Sequence, residues 1–426
     1  MKPTRRQLLL GSTAAALTGP LLASRAASDR PMKNLIVVVA DGGWDLTFSF
    51  DPKPDLEGIE GPYVDLDPED PQDVEEIRRW GEITVTCNDL RRRQVGQFFE
   101  EWSQRTAVVR GMWVGSVSHW IGRRRVLTGG DDLDAPDLAT RVASLSGHER
   151  PLGVVDLSGH GRFANFSALS ARGGARGQLT QLVDPTQRWP MGDGTPRNPL
   201  EVSVGEQAAM DRWLASRALR QRQDRAMDPG RIEALLQRDE ARRRARALVE
   251  HSSALQLSED GDDPLNSQVK FAASLLTNEI CHTVLIDTGN NWDTHSSHHF
   301  QHGYHDQLFG SLSQLLHHLQ GGGILDHTLV AVISEMARTP VRNADGGTEH
   351  WPYTGVLLAG AGVRGGRVCG GTDDRMIGVP VDLDTGLPAT GGTLLEYSHV
   401  MAGILEHVGV DIAQEIPGIP PLHGWS

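Results

Sequence analysis

The sequence has few cysteines, which stabilise many small secreted proteins, and after residue 28 it has no apolar run long enough for a membrane helix. It has only three cysteines in 426 residues, at the widely spaced positions Cys87, Cys281 and Cys369. This spacing indicates neither a disulfide framework nor a thiolate metal site, and it leaves open which pair would form under oxidising conditions. No apolar run after residue 28 reaches the roughly 20 residues that a membrane helix needs. The chain is therefore expected to be a globular protein with a large buried core.

Basic residues are also in the minority. The chain has 41 Lys and Arg against 55 Asp and Glu, which gives a formal net charge of −14. Residues 1–28 contribute four basic side chains and no acidic one, so the rest of the chain carries −18. Such an acidic protein would be repelled by a phosphate backbone, which argues against general nucleic-acid binding.

The first 28 residues are typical of an export signal. Arg5 and Arg6 precede the weakly apolar segment LLLGSTAAALTGPLLA, and small residues suitable for cleavage follow at Ala26 and Ser28. The paired arginines predict a twin-arginine signal over 1–28 and a protein handled by the twin-arginine export machinery. The alternative is an ordinary secretory signal with an incidental arginine pair. Either signal predicts a periplasmic or secreted protein.

Short apolar runs alternate with helical patterns over the rest of the chain. This alternation predicts an α/β fold in which a mainly parallel sheet lies between layers of helices. The clearest predicted strands are 35–40, 284–286 and 329–333, and weaker ones lie at 83–87, at 106–115 and after Pro151. Residues 29–426 are predicted to form one domain. Within it, 195–265 is rich in Arg and Glu at helical spacing and is predicted to be a helical insertion or lid.

Carboxylates and imidazoles follow two of these strands. Asp293 and His295 come after the strand at 284–286, Glu335 ends the strand at 329–333, and His350 lies on the loop beyond it. The carboxyl ends of parallel strands meet at one edge of a sheet, where ligands bind. Oxygen and imidazole donors suit a divalent metal, most of all zinc, with manganese, magnesium or calcium as alternatives. The sequence therefore predicts a metal centre made from these four residues.

Two further strand ends are candidates for the same centre. Asp41 follows the first strand and precedes two glycines that allow a tight turn, although an aspartate there also suits a loop or helix cap. Ser118 and His119 follow the strand at 106–115, with arginines at 123–125 just beyond. This pattern predicts a serine nucleophile beside an anion-binding patch, and the alternative for Ser118 is a helix N-cap.

The segment from 295 to 305 contains five histidines. His298, His302 and His305 share a helical stripe with later leucines, which predicts that they face inward. We interpret His295 as a ligand. His298, His299 and His302 are interpreted as supporting or core residues, with a ligand role as the less favoured alternative.

A series of motifs resembles one protein family. Strand-DGGWD, SH, WDTH, SEMARTP, GGTEHW and GVRGG occur in the order found in the bacterial domain-of-unknown-function family 1501. The resemblance covers about 34–409 of this chain. The family itself looks like a branch of the alkaline phosphatase and sulfatase superfamily. The resemblance implies an alkaline-phosphatase-like three-layer sandwich with a metal centre at the carboxyl edge of its sheet. It places Asp41, Asp293, His295, Glu335 and His350 at metal positions and Ser118 near the nucleophile position.

The chain departs from the superfamily pattern at three places. Glu335 is followed by Met336, where a second-site histidine is usual, and the spacing of Asp293 and His295 is unusually short. Neither Ser118 nor Cys87 lies in a C/S-x-P-x-R signature, so formylglycine sulfatase chemistry is not expected.

The sequence supports three hypotheses about function. The first is an exported metal-dependent hydrolase of phosphate or related ester bonds, acting on small-molecule or polymer esters. Ser118 would attack, His119 would orient it or transfer protons, and Arg338 or the arginines at 123–125 would hold the substrate oxygens. The second is a degenerate member that binds a surface glycan, a lipid or a protein. The third is a histidine-rich metal buffer.

Overall fold

A computed structural model gives the fold. It describes residues 32–146, 150–173, 189–190, 196–197, 204–223, 228–250 and 263–426. The predicted signal at 1–28 lies outside the described residues, as do parts of 195–265. Within the described part of the chain, no helix is both long and apolar enough to cross a membrane.

The centre of the described chain is an eight-stranded sheet. We number the strands in chain order as β1 (Asn34–Val39), β2 (Glu76–Trp80), β3 (Ile83–Cys87), β4 (Thr106–Trp113), β5 (Val154–Asp156), β6 (Ser170–Arg172), β7 (Trp189–Pro190), β8 (Pro196–Arg197), β9 (Thr283–Asp287), β10 (Thr328–Ile333), β11 (Ala337–Arg338), β12 (His350–Trp351), β13 (Tyr353–Gly360) and β14 (Arg367–Gly370). The order in the large sheet is β14-β4-β13-β10-β1-β9-β5-β6, and β13 runs antiparallel to both of its neighbours while the other pairings are parallel.

Helices cover both faces of this sheet. The helices of the described residues are α1 (Arg93–Trp102), α2 (His119–Thr128), α3 (Leu138–Leu145), α4 (Val204–Gln223), α5 (Pro229–Glu250), α6 (Pro264–Thr277), α7 (Phe300–Gly321), α8 (Tyr397–His407) and α9 (Ile412–Glu415). Short 3-10 segments occupy Leu46–Phe48, Tyr63–Asp65, Ser103–Arg105, Ala164–Leu169 and Leu325–His327.

The alternation of side chains along β1 divides the core into two layers. Ile36 and Val38 pack on one face with α1, α6 and α7. Leu35 and Val37 pack on the other face with α2, α3 and α8. Because β1 is buried on both faces, it reads as a continuous apolar run. The predicted α/β fold, with a mainly parallel sheet between two layers of helices, is confirmed.

Local sequence signals account for several helix starts. Asp263 caps α6 by accepting hydrogen bonds from the backbone N–H groups of Leu265 and Asn266, and Pro264 follows it. Asp137 caps α3 through the N–H of Thr140. Helix α7 begins only at Phe300, so His298 precedes it, yet His298, His302 and His305 are all buried as the stripe predicted.

Two sequence expectations need correction or completion. The strand predicted at 83–87 exists as β3, but it pairs with β2 outside the large sheet, because a connection of only two residues favours a local hairpin. The described part of the predicted insertion contains β8, α4, α5 and the first residues of α6. Arg244 of α5 donates to the carbonyl groups of Arg150 and Pro151, and Leu248 is buried in the core. A lid role for this region remains a prediction.

The three cysteines are free and buried. Burial raises the pKa of each thiol to about 12, so they are packed as apolar groups rather than poised as thiolates.

Candidate metal centre

Five strands deliver polar side chains to one edge of the sheet. Strands β1, β9 and β10 are adjacent, and their last residues Val39, Asp287 and Ile333 lie side by side in the register. Strands β4 and β5 end at the same edge, because they run in the same direction as β1. Acidic and histidine residues that are far apart in the chain are thereby brought together.

The first group at this edge consists of His119, Asp293 and His350, which we call the His350 cluster. Its three donor atoms all lie within 4.8 Å of one another. His350 Nε2 is 2.9 Å from Asp293 Oδ1, and His119 Nε2 is 3.3 Å from Asp293 Oδ2. His295 joins the cluster from its exposed side, with Nε2 3.1 Å from Asp293 Oδ1 and 3.0 Å from His350 Nε2. Three imidazoles thus surround one carboxylate.

The other ring nitrogen of each imidazole is held by an acceptor. The Nδ1–O distances are 2.7 Å from His119 to Glu335, 2.7 Å from His350 to the carbonyl of Val117, and 2.9 Å from His295 to Glu349. A carboxylate or carbonyl oxygen only accepts, so Nδ1 carries the proton in each ring. In each ring Nε2 is then the nitrogen that lies toward Asp293. This is the arrangement by which proteins orient histidine ligands for a metal.

His119 supplies a test of whether a cation fits here. Its Nε2 is buried and has no hydrogen-bond partner among the described residues. The neighbouring oxygen of Asp293 at 3.3 Å is close enough for an ion pair but lacks hydrogen-bond geometry. A buried polar nitrogen without a partner is costly. A cation between the imidazoles and Asp293 would satisfy it, so the residues fit a metal.

Neighbouring groups shift the pKa values of His119 and Asp293 in opposite directions. The hydrogen bond to Glu335 raises the pKa of His119 above its ordinary value. Partial burial would raise the pKa of Asp293, but its bonds with His350 and Arg338 outweigh that effect and lower the pKa. Asp293 is therefore a carboxylate at neutral pH.

Glu335 and Arg338 lie behind the cluster. Glu335 is fully buried, and its Oε1 accepts hydrogen bonds from His119 and from the backbone N–H of Gly42 at 2.8 Å. Arg338 is also buried, and it donates to Asp293, to the carbonyl of Gly42 and to Thr348. In this geometry Glu335 orients an imidazole and Arg338 orients Asp293.

Gly42 can make both contacts because it lacks a side chain. Its φ of +122° is a conformation that residues with a side chain rarely adopt. A Cβ there would lie 2.4 Å from the backbone nitrogen of Asp293. The first of the two glycines after β1 therefore lets the β1 turn touch the loop that carries the cluster.

The buried pair His298 and Asp45 connects the loops that carry the His350 cluster. His298 Nε2 lies 2.8 Å from Asp45 Oδ2, and its Nδ1 lies 2.8 Å and 3.0 Å from the hydroxyls of Thr294 and Thr348. Thr294 is next to Asp293, and Thr348 is two residues before His350. His298 thus links both ligand-bearing loops to the turn after β1, which matches the supporting role predicted for it.

The remaining metal candidate, Asp41, belongs to a second group. Asp41, His160 and Asp287, which we call the His160 cluster, also place three donor atoms within 4.8 Å of one another. The carboxylate of Asp41 accepts two hydrogen bonds from Arg123, both 2.7 Å long. The structure therefore does not bring all five predicted metal residues into one group.

Ser118 immediately precedes α2 and is exposed. Its backbone N–H donates to the Ser116 hydroxyl at 3.0 Å. Among the described contacts, its own hydroxyl makes no cap bond and no bond to the His350 cluster. It occupies the N-cap position that was the alternative prediction, and its role as a nucleophile remains a prediction.

Two residues at this edge of the sheet, Asp287 and His160, were not predicted from the sequence. Asp287 ends the strand VLID much as Asp41 follows LIVVVA, and this parallel could have identified it. His160 follows β5 in a Gly- and Ser-rich loop that offers no comparable signal. His119 was predicted as a catalytic residue, whereas the structure places it among the candidate ligands.

The fold and this edge define an α/β protein with a carboxylate and histidine centre at the carboxyl ends of its strands. The model of the family described as "Protein of unknown function (DUF1501)" matches residues 32–385, and the chain belongs to that family. The family resemblance predicted from the motifs is confirmed. No curated protein matches the sequence.

Several solved structures have a distantly similar fold. Ps i-CgsB, solved in complex with k-i-k-neocarrahexaose, is 10% identical with a TM-score of 0.40, over 92% of this chain and 75% of that one. A protein in the alkaline phosphatase superfamily from Vibrio parahaemolyticus is 11% identical with a TM-score of 0.37, over 96% and 76%. The PsFucS1 sulfatase from Pseudoalteromonas sp. is 10% identical with a TM-score of 0.35, over 99% and 74%.

Proposed function

We propose that the protein is an exported, metal-dependent hydrolase of phosphate or related ester bonds, with the His350 cluster as its metal centre. The observation that carries the proposal is the convergence of three imidazole Nε2 atoms on Asp293, one of them buried and without a partner. Three imidazoles and one carboxylate suit zinc better than magnesium or calcium, which prefer oxygen ligands.

In this proposal His119, Asp293, His295 and His350 would hold the ion. A bound divalent cation supplies positive charge for the oxygen on which negative charge develops during ester cleavage. Glu335 fixes the ring of His119, and Arg338 fixes the carboxylate of Asp293. The Ser118 oxygen would lose its proton and take the phosphoryl group as the ester bond breaks and the alcohol leaves with a proton, and water would then take the phosphoryl group and free the serine.

Two features beside the cluster support an anionic substrate. Asp293, Glu335 and Glu349 contribute three negative charges, which Arg338 and a divalent cation would balance. The first backbone N–H groups of α2 lie next to the cluster, since His119 is the first residue of that helix. A helix N-terminus favours anions. Arg123 lies one turn further along the same helix and could hold substrate oxygens once released from Asp41.

Ser118 is the proposed nucleophile, as the sequence predicted. Its place at the start of α2, directly before a candidate ligand, supports the proposal. Replacing Ser118 by Ala should abolish turnover while the bound zinc stays unchanged. Ser146→Ala, which removes a hydroxyl at the end of α3, is the control and should keep most activity. Full activity in Ser118→Ala would mean that water attacks the ester directly.

Turnover by the metal-loaded protein tests the proposal as a whole. The purified protein is stripped with a chelator and reloaded with zinc, manganese, magnesium or calcium. Each form is then assayed with an aryl phosphate, an aryl phosphodiester and an aryl sulfate that share one leaving group. We expect zinc-dependent release from at least one phosphate ester, and its loss in His350→Ala. No turnover with any ester and any ion would overturn the proposal.

A second candidate function is a binding protein for a surface glycan, a lipid or a protein partner. The observation that favours it is the exposed Ser118 hydroxyl, which makes no described bond to the cluster. A protein that takes up zinc in the His350 cluster without any ester turnover would support this second function.

The proposed location is the periplasm or the exterior. The paired arginines at 5 and 6 support handling by the twin-arginine machinery. Replacing both by Lys should leave the full-length protein in the cytoplasm, as fractionation would show. Export of the double variant at the normal rate would instead indicate an ordinary secretory signal.

A further inference from the structure

Two adjoining cavities open on the surface next to the loop after β5. The first, of about 610 Å³, is lined by residues of the segments 133–135 and 161–165, and it lies next to the His160 cluster because Gly161 follows His160. The second, of about 410 Å³, lies between the segment 164–167 and the first part of α5. Ala164 and Asn165 line both cavities, so the two form one groove, which we call the Asn165 groove.

The walls of this groove are held by contacts with the rest of the domain. The backbone N–H of Arg162 donates to the buried Asp137 at 2.6 Å, and its guanidinium donates to the carbonyl of Leu133. These bonds join the two segments that line the first cavity. Beside the second cavity, the 3-10 segment Ala164–Leu169 packs against α5, whose Leu248 is buried in the core. The groove is therefore largely preformed, as ligand sites usually are.

The first cavity contains a buried donor without an acceptor. Arg162 Nε is buried and makes no hydrogen bond among the described residues. A buried N–H group without a partner is costly, so an acceptor supplied by a ligand would stabilise it. Asn165 is exposed where the two cavities meet, and its amide can both donate and accept.

The lining of the groove offers donors and acceptors in close succession. The Asp134 carboxylate accepts, the Arg162 guanidinium donates, and Asn165 and Ser167 can do both. This mixture suits hydroxyl groups, since each hydroxyl donates and accepts at the same time. Leu133, which is 56% exposed, adds an apolar surface for the C–H face of a sugar ring. The groove therefore has the chemistry of a site for a hydroxyl-rich chain.

The charges along the groove argue against a polyanion as its ligand. Asp132 and Asp134 are exposed beside the first cavity and would repel an anionic chain. In the second cavity, the charge of Arg238 is offset by Asp239, whose carboxylate lies 3.0 Å from the guanidinium. The site thus favours a chain that is recognised through hydroxyl groups rather than through charge.

We propose that the Asn165 groove binds an oligosaccharide chain that runs from the edge of the sheet to α5. The proposal deepens the proposed function, because an ester carried by such a chain would be the substrate, and that step rests on the proposed hydrolysis. Binding of the chain does not depend on hydrolysis, since no residue of the His350 cluster lines the groove.

Affinity electrophoresis of the purified protein tests the proposal. Each gel contains one neutral polysaccharide (soluble starch, dextran, xylan or galactomannan) or one polyanion (dextran sulfate or polyphosphate). We expect at least one neutral polysaccharide to retard the protein. Asn165→Ala removes an amide that both cavities share and should weaken this binding about fivefold or more, as expected for one lost hydrogen bond. The control is Gln314→Ala, which removes an exposed amide of α7 that lines neither cavity.

The second cavity provides a test with a different variant. Ala234 is exposed on α5 and lines this cavity, so Ala234→Leu would partly fill it. A hexasaccharide prepared from the retarding polysaccharide should bind this variant about tenfold more weakly in titration calorimetry. Ala215→Leu makes the same change at an exposed position of α4 that lines neither cavity, and it should bind like the unmodified chain. Circular dichroism confirms that each variant is folded.

The outcomes distinguish this inference from the proposed function. Retardation by no neutral polysaccharide, or by the polyanions alone, would overturn the groove as an oligosaccharide site. Unchanged binding in both Asn165→Ala and Ala234→Leu would place the chain elsewhere and would also overturn it. A protein that binds the polysaccharide but cleaves no ester with any ion would overturn the proposed hydrolysis and leave this site intact.

Discussion

The His350 and His160 clusters stand at the same sheet edge and use the same kinds of donor, yet they differ in how their charges are balanced. In the first, each imidazole directs its Nδ1 to an acceptor outside the cluster, and the buried Nε2 of His119 has no hydrogen-bond partner among the described residues. In the second, His160 uses Nε2 to contact Asp287, and Arg123 covers Asp41. The comparison teaches that a ligand-like set of residues is not enough. The bonds made by the rest of each side chain decide whether the donor atoms face an ion.

The largest effect is expected when the His350 cluster itself is broken. His350→Ala removes a proposed ligand and should weaken zinc binding by about 100-fold or more, beyond the 10- to 100-fold typical of supporting residues. His299→Ala is the control, because His299 is exposed and its ring contacts Phe300 in a tilted arrangement. Zinc affinity is measured by competition with a chelating dye. If His350→Ala bound zinc fully and His299→Ala bound none, His299 rather than His350 would be the zinc ligand.

A somewhat smaller effect on zinc binding is expected from His298, which contacts the loops that carry the His350 cluster. His298→Ala removes the link between the two ligand loops and should weaken zinc binding about 10- to 100-fold. It also removes a hydrogen-bond partner of the buried Asp45, at a cost of about 1–3 kcal/mol in unfolding free energy.

The control for His298 is His302→Ala. His302 is another buried histidine, bonded to Arg92 and Asp65 away from the ligand loops. It should lose stability in urea unfolding but keep its zinc affinity. Equal loss of zinc affinity in both variants would mean that the effect is general destabilisation.

The close contact of the two loops can be broken by adding one methyl group. A Cβ on Gly347 would lie 2.0 Å from the backbone carbon of His295, so Gly347→Ala must push the loops apart. We expect a loss of about 1–3 kcal/mol in stability, as for overpacking, and weaker zinc binding. Gly303→Ala, in α7 with nothing near the added Cβ, should be neutral or stabilising. Normal zinc binding by Gly347→Ala would show that this contact is dispensable.

The smallest effect is expected on the pH dependence of zinc binding. The folded pKa of His119 is raised by Glu335. Without metal, the interaction of His119 with Glu335 stabilises the folded protein at a pH below the pKa of His119 in the unfolded chain. This stabilisation is lost as the pH rises through the pKa of His119 in the folded protein. An ion must displace the proton, so zinc affinity should fall by about tenfold per unit as pH drops below that raised pKa. His119→Ala should lose this part of the dependence. An unchanged pH profile in that variant would remove His119 from the ligand set.

Several elements could be read from the sequence because their signals are local. The buried runs at 34–39, 283–287 and 328–333 are apolar and β-branched, and the acid or histidine residues after them lie at the predicted strand ends. The motif pattern led to the right family. The pairing of β3 with β2 was not anticipated, and neither was His160, since the loop after β5 carries no distinctive pattern.

The sequence by itself determined the α/β alternation, the edge at which polar side chains collect, and the residue types suited to a metal. Only the tertiary structure decided that Asp41 lies with His160 while His119 lies with Asp293 and His350. The physical reason is that strand order and side-chain hydrogen bonds depend on contacts between distant segments. Residues 119, 293 and 350 meet because β4, β9 and β13 share one sheet, and no local pattern encodes that arrangement.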